Sequence, residues 1–354
     1  MFKYQETQYY LSHEEKRRYF DLHVITSNSE FEHLFKELLP QKYKTGGIWR
    51  GSPESAYKLY NTFQRENSCL EEPIDDVLGF VKLLAQEFDI WDSKKITSKF
   101  FKNLGKEQVP LYSKLSFLRH CGIPSPLLDW TRDTDIALFF ATNNFNRRTT
   151  KVISDTELSD YFSIYFMDKE HCYYQYNSKV SSEYFKSNSL ESLEKRYHFF
   201  KLILPRRKKA NSIFNNEKFI YEHIKCNPIQ RISDECNDFV NHSTMTNLNI
   251  KAQNGLFILN MHPSLALEEA ILDRASKMSN NDYLLKQAYD NHIRNFSCFD
   301  IHKKFIPQIS ENLKSKDINV IDNSSIVVDI QEFKQCLSFE KLVHSMRIKN
   351  RSHL

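Results

Sequence analysis

Hydrophobic positions along the chain follow two periods, which together predict an α+β protein. Between residues 74 and 88 the apolar positions recur at the three- and four-residue spacing of a buried helix face, after a Pro73 suited to a first helical turn. Similar patterns predict further helices at 31–39, 111–120, 136–141, 265–276 and 309–316. Short apolar or alternating runs predict strands near 48 and at 161–166, 199–204, 255–260 and 326–330.

The chain shows no internal repeat and no linker rich in Gly, Ser or Pro, which favours a single domain. We expect this domain to span 31–345, with a polar helical arm at 1–30 and a basic tail at 346–354. The strands near 48, 162, 201 and 257 should then pair in one central mixed or antiparallel sheet flanked by helices.

Composition narrows the class of protein. Apolar residues make up 40% of the chain and charged residues 27%, as in ordinary soluble proteins. The longest apolar run, 136–141, is far shorter than the ~20 residues of a membrane span, so we expect a cytoplasmic protein without membrane contact. Seven scattered cysteines without a C-x-x-C pair argue against a disulfide framework and a zinc ribbon, and we expect no metal.

Glycine is scarce, with 7 in 354 residues, and neither G-x-G-x-x-G nor G-x-x-x-x-G-K occurs. The two common phosphate-binding loops are therefore absent. A nucleotide's phosphates would have to be held by cationic side chains instead.

The first candidate motif is Ile48-Trp-Arg-Gly-Ser52, an arginine on a short apolar strand. Its five-donor fork suits phosphate or carboxylate, and Gly51 allows a ligand or backbone to approach closely. Two interpretations of Arg50 stay open: it grips an anionic ligand, or it forms a structural salt bridge to an acid such as Asp129.

The second motif runs from Phe117 to Thr131 and is followed by the apolar run 136–141. We predict a turn over 129–133 between two helices, with Thr131 or Asp133 capping the second helix. Trp130 is expected to fill the core. His120 is either a functional group or a satisfied helix-end residue.

The third motif, Ala252-Gln-Asn-Gly-Leu-Phe257, places the Gln253 amide where a strand begins, for a ligand or for a neighbouring backbone group. A basic run also occurs in a loop, formed by Arg206, Arg207, Lys208 and Lys209. We interpret it as a solvated loop, with nucleic-acid binding as the alternative.

Together these motifs resemble the FRG domain, a family of bacteria and phages named for an aromatic-Arg-Gly motif that here reads Trp-Arg-Gly. The family's central and late motifs are kept at His120, Gly122, Pro124, Leu127, Leu128, Asp129, Trp130, Thr131, Ala252, Gln253, Gly255 and Phe257. The chain departs at Cys121, where an aromatic residue is usual, and at Ser125-Pro126, where Thr-Arg is usual.

The order of these motifs is similar to that of arginine-first ADP-ribosyltransferases, although no late glutamate stands at 253 or 255. The similarity implies a nucleotide-like ligand, NAD, and an acceptor macromolecule, in a toxin or an anti-phage effector. Arg50 would hold the pyrophosphate and Gln253 a ribose hydroxyl, while Asp129 or His120 would serve the reaction. The expected lining of the cofactor site comprises Arg50, Gly51, Arg119, Thr131 and Gly255. The alternative is a non-catalytic binding module.

Overall fold

A computed structural model describes residues 8–44, 46–91, 111–120, 122–143, 158–168, 229–232, 253–278, 295–316 and 342–344. The strands predicted at 199–204 and 326–330, the basic run 206–209 and the tail 346–354 lie outside these residues.

A seven-stranded sheet forms the centre, in the order β1-β7-β4-β2-β3-β6-β5. Its strands are β1 Asp21–Ile25, β2 Ile48–Ser52, β3 Leu127–Thr131, β4 Tyr161–Met167, β5 Ile229–Ile232, β6 Gly255–Asn260 and β7 Phe296–His302. β1 and β7 are parallel, and every other neighbouring pair is antiparallel. The predicted α+β fold with a mixed sheet is confirmed, and the strands near 48, 162 and 257 share that sheet.

Helices flank the sheet. They are α1 His13–Arg17, α2 Asn28–His33, α3 Leu39–Lys44, α4 Thr62–Asn67, α5 Val77–Trp91, α6 Leu111–His120, α7 Thr134–Thr142, α8 Leu267–Met278 and α9 Ile306–Ser315. A π-helical turn, Leu34–Leu38, joins α2 to α3. The prediction for 111–120 is confirmed to the residue, whereas α5 begins at Val77 rather than near Pro73. Among the described helices, none has the length and apolar character needed to cross a membrane.

The turn predicted over 129–133 is wrong in its first half, because residues 127–131 form strand β3 between β2 and β6. Leu128 and Trp130 are 1% and 3% exposed on one face of this strand, which gives it the apolar side that a central strand needs. Trp130 therefore fills the core as expected. The turn is confined to the residues between β3 and α7, where the Asp133 carboxylate caps α7 by accepting from the amides of Asp135 and Ile136.

The segment 1–30 is not simply a polar surface arm, since its described part contributes β1 to the sheet and buries Lys16 completely. Lys16 Nζ lies 2.6 Å from Asp300 Oδ1 on β7 and donates to Ser163 Oγ at 2.8 Å. Burial alone would lower the pKa of Lys16, but the neighbouring Asp300 carboxylate raises it. One charge of this segment, that of Lys16, is thus paired inside the protein.

Candidate anion-binding site

The sheet splits between β2 and β3 at the first candidate motif. These strands share one register pair, Trp49 with Thr131. Beyond it β2 continues along β4 as far as Ser52, while β3 continues along β6 as far as Leu127. Arg50 and Asp129 therefore stand on opposite sides of an opening in the sheet.

Gly51 borders this opening and lies against helix α7. A Cβ atom at Gly51 would overlap the carbonyl oxygen of Ala137 and would lie 2.8 Å from the Ala141 amide nitrogen. Gly51 was expected to allow either a ligand or a backbone to approach closely, and the structure shows that the backbone of α7 does so. The Arg-Gly motif and the apolar helix motif are therefore linked by direct packing.

Arg50 reaches across the opening. Its Nη1 donates a hydrogen bond to the Asp129 carbonyl oxygen on β3, beyond the single register pair that joins the two strands. Its Nε is buried and has no hydrogen-bond partner among the described residues. The guanidinium therefore keeps a buried donor, which an anionic group placed beside it would satisfy.

The Asp129 carboxylate is bound by a different arginine. Arg119 Nη2 lies 2.6 Å from Asp129 Oδ2, with the two side chains 21% and 43% exposed. The Nε of Arg119 is also buried without a hydrogen-bond partner in the described part of the chain. The salt bridge expected between Arg50 and Asp129 is not what the described residues show: Arg119 pairs with the Asp129 carboxylate, and Arg50 binds the Asp129 backbone carbonyl.

The end of α6 fixes the position of Arg119. Gly122 adopts a φ of 79°, and its amide donates to the Arg119 carbonyl at 3.0 Å. The Ile123 amide donates to the Leu118 carbonyl, also at 3.0 Å. These paired bonds form a Schellman motif, which ends the helix just after Arg119 and sends the chain into β3.

A third arginine, Arg65, was not singled out from the sequence. It lies on α4, whose first residues are bound to the turn before β3: the Phe63 amide and the Thr62 hydroxyl both donate to the Ser125 carbonyl at 3.2 Å. Partial desolvation and the charge of Arg119 lower the pKa of Arg65, whereas Asp129 and the adjacent Glu66 raise it. No motif surrounds Arg65, so its place beside Arg119 emerges only from the packing of α4.

The charges of Arg65 and Arg119 influence the pKa of Arg50. The pKa of Arg50 is lowered to about 10, by burial first and then by the charges of Arg65 and Arg119, while the charge of Asp129 acts in the opposite direction. Among the described residues, these three cations thus lie near two carboxylates, those of Asp129 and Glu66, which leaves an excess of positive charge. Convergent arginine forks with excess charge suit a phosphate-bearing ligand.

Residues 45–150 match the family model of the FRG domain. This stretch of the chain is similar to an FRG domain. The matched stretch includes Arg50, Arg65, Arg119 and Asp129, and it ends before Gln253 and Gly255. No curated protein and no solved structure matched the chain.

Three of the remaining predicted site residues, Thr131, Gln253 and Gly255, lie together at the closed end of the opening. The Thr131 hydroxyl donates to the Gln253 carbonyl at 2.7 Å and accepts from the Asp133 amide at 3.0 Å. Gly255 is paired with Thr131 in the ladder of β3 and β6. The half-buried Gln253 is thus bound through its backbone to Thr131, two residues along β3 from Asp129. His120 ends α6, and its side chain lies outside the described set.

Proposed function

We propose that the FRG-like domain binds a phosphate-bearing nucleotide at the opening between β2 and β3, through Arg50, Arg65 and Arg119. The observation that carries this proposal is the buried Nε atom of Arg50, which lacks a hydrogen-bond partner among the described residues beside a cluster with excess positive charge. Leaving such a donor unsatisfied costs free energy, and a phosphate oxygen accepts from a guanidinium fork with good geometry.

NAD is the nucleotide that we propose. Arg50 and Arg119 would bind its pyrophosphate, and Gln253 a ribose hydroxyl from the end of the opening where Thr131 and Gly255 lie. The sequence has no glycine-rich phosphate loop, so side-chain cations would have to bind the phosphates of NAD.

An ADP-ribosyltransferase-like reaction is the activity proposed for the bound NAD, in a bacterial toxin or anti-phage effector that modifies an acceptor macromolecule. Breaking the nicotinamide bond requires stabilisation of positive charge that develops on the ribose. Asp129 is the motif carboxylate at the opening and is proposed for this role, with His120 as an orienting group or base.

A second function, binding without turnover, is favoured by the state of Asp129. Its carboxylate lies 2.6 Å from Arg119 Nη2, so its negative charge is already paired with an arginine. In this alternative Asp129 positions Arg119, and the domain recognises a nucleotide or an anionic partner group.

Calorimetric titration of the full chain with NAD and with inorganic pyrophosphate tests the binding proposal. Arg50→Lys keeps the charge but loses the fork, so we expect about tenfold weaker binding with an almost unchanged melting temperature. Arg17→Lys is the matched control, because Arg17 lies on α1 with its side chain 54% exposed. Absence of binding heat up to millimolar NAD and pyrophosphate would contradict the proposal. Release of nicotinamide from NAD then separates the transferase from the binding module.

A further inference from the structure

The described N-terminal residues run alongside the loop after β2. The Tyr10 amide donates to the Ala56 carbonyl at 2.7 Å, and the Lys58 amide donates to the Gln8 carbonyl at 3.1 Å. Tyr9 and Tyr57 form an antiparallel β-bridge between these bonds. Residues that precede the matched FRG stretch are thus attached to it by a short two-stranded ribbon.

Two aromatic rings lie together on one side of this ribbon. The ring centroids of Tyr9 and Tyr57 are 5.6 Å apart, at an interplanar angle of 43°. Both residues are half-buried, whereas Tyr10 points to the opposite side and is fully buried. Alternation along the ribbon therefore sends one tyrosine into the core and leaves the paired rings accessible in part.

The paired rings neighbour the arginine cluster. Tyr57 is near enough to the Arg65 guanidinium to raise the pKa of that group. The Tyr57 carbonyl accepts a hydrogen bond of 3.2 Å from the Tyr165 hydroxyl, and Tyr165 is the register partner of Arg50 on β4. Tyr57 therefore lies near Arg65 and, through Tyr165, beside the strand position of Arg50.

We propose that Tyr57, supported by Tyr9, is a stacking surface for the aromatic base of a nucleotide whose phosphates lie on the arginine cluster. This inference rests on the proposed function and narrows its ligand class: the site prefers a base-bearing phosphate over a bare phosphate or a sugar phosphate. Half-exposed aromatic rings next to cationic side chains are the combination that proteins use to bind bases and phosphates together. The N-terminal segment then forms part of the binding site.

Titrations with ADP, ribose 5-phosphate and inorganic pyrophosphate test this inference on the full chain. The wild type is expected to bind ADP about tenfold or more tightly than pyrophosphate, from stacking of one base. Tyr57→Leu should remove that preference while pyrophosphate binding stays unchanged. Tyr57→Phe keeps the ring and should retain the preference within about threefold. Tyr9→Leu should weaken ADP binding less than Tyr57→Leu does.

Tyr43→Leu is the control, since Tyr43 is 62% exposed on α3. If Tyr57→Leu melts early, Tyr57→Phe and Tyr9→Leu carry the test. If the wild type and folded Tyr57→Leu or Tyr9→Leu prefer ADP over pyrophosphate to the same extent, the stacking surface is wrong, and the arginine site is not affected by that result. Failure of the wild type to bind pyrophosphate, ADP or NAD overturns the arginine site and the stacking surface together.

Discussion

The carbonyl oxygen of Ala137 on α7 lies where a Cβ atom at Gly51 would have to be. The helix backbone is therefore in direct contact with β2 at the residue after Arg50. We predict that Gly51→Ala lowers the free energy of unfolding by about 3 kcal/mol or more. The two atoms nearest to the added Cβ, the Ala137 carbonyl oxygen and the Ala141 amide nitrogen, both belong to the backbone of α7. Urea denaturation measures this loss.

Gly79→Ala is the matched control for that substitution. Gly79 lies within α5, where alanine is the better helix former by about 0.5–1 kcal/mol, so this variant should be neutral or slightly more stable. A Gly51→Ala protein as stable as the wild type would show that α7 shifts freely and that the contact has no energetic weight.

Trp130 stabilises the fold through its burial. Its ring is 3% exposed, with its centroid 6.1 Å from that of Phe296 on β7. We predict that Trp130→Ala lowers the free energy of unfolding by roughly 3–5 kcal/mol, as large aromatic truncations in cores do. Phe140→Ala, at a ring that is 39% exposed, should cost about 1 kcal/mol or less. A near-neutral Trp130→Ala would assign the indole to the wall of the site instead.

Sequence patterns predicted the elements whose burial follows a simple period. Helix α6 was found to the residue because Gly122 and Pro124 mark its end, and β4 and β6 because their apolar runs are bounded by polar or glycine residues. Strand β3 was missed because the polar residues Asp129 and Thr131 resemble those of a turn, although Thr131 is buried. Strand β7 was missed because Asp300 interrupts its apolar run. Only the tertiary partner of Asp300, Lys16, explains how that charge is buried.

The candidate site was predictable in part, for a similar reason. Arg50 drew attention because an arginine on an apolar strand needs a partner, and Arg119 and Asp129 because they belong to a long motif. Arg65 carries no such signal, since an arginine on a short helix is ordinary. Its position depends on the hydrogen bonds that join α4 to the Ser125 carbonyl, a long-range contact that local sequence does not encode.

Glu268 gives the protein a predicted dependence on pH. This carboxyl is fully buried, and its Oε1 accepts from the Tyr10 hydroxyl and from the Leu59 amide. Its pKa is raised from 4.5 to about 7, mainly by burial and in part by the charge of Glu269, against the opposite effect of these hydrogen bonds. Between these values the folded protein holds a proton that the unfolded chain releases. The free energy of unfolding therefore falls as pH rises through this window, by up to about 3 kcal/mol.

The measurement compares the wild type with Glu268→Gln by urea denaturation at pH 5 and pH 8. Because glutamine does not titrate, the wild type should lose stability relative to the variant as pH rises. Glu32→Gln, at a side chain that is 63% exposed and paired with Lys36, controls for general effects of removing a carboxylate. Wild-type and Glu268→Gln stabilities that stay parallel across this range would contradict the prediction.

The binding and catalytic proposals predict different results for a substitution of Asp129. Replacing it with asparagine removes the carboxylate that pairs with Arg119 and increases the excess positive charge of the cluster. We therefore expect Asp129→Asn to bind NAD and pyrophosphate more tightly, by about fivefold, the effect of roughly 1 kcal/mol from a partly exposed ion pair. If Asp129 stabilises charge during nicotinamide release, turnover should be lost in the same variant while the fold is kept. Asp135→Asn makes the same change of charge at the start of α7, next to Lys316, and should alter neither property.

Tighter binding with loss of turnover supports the transferase, and tighter binding to a protein that releases no nicotinamide supports the binding module. Weaker binding would instead mean that Arg119 needs Asp129 to hold its position, and the excess charge would not be what binds the ligand.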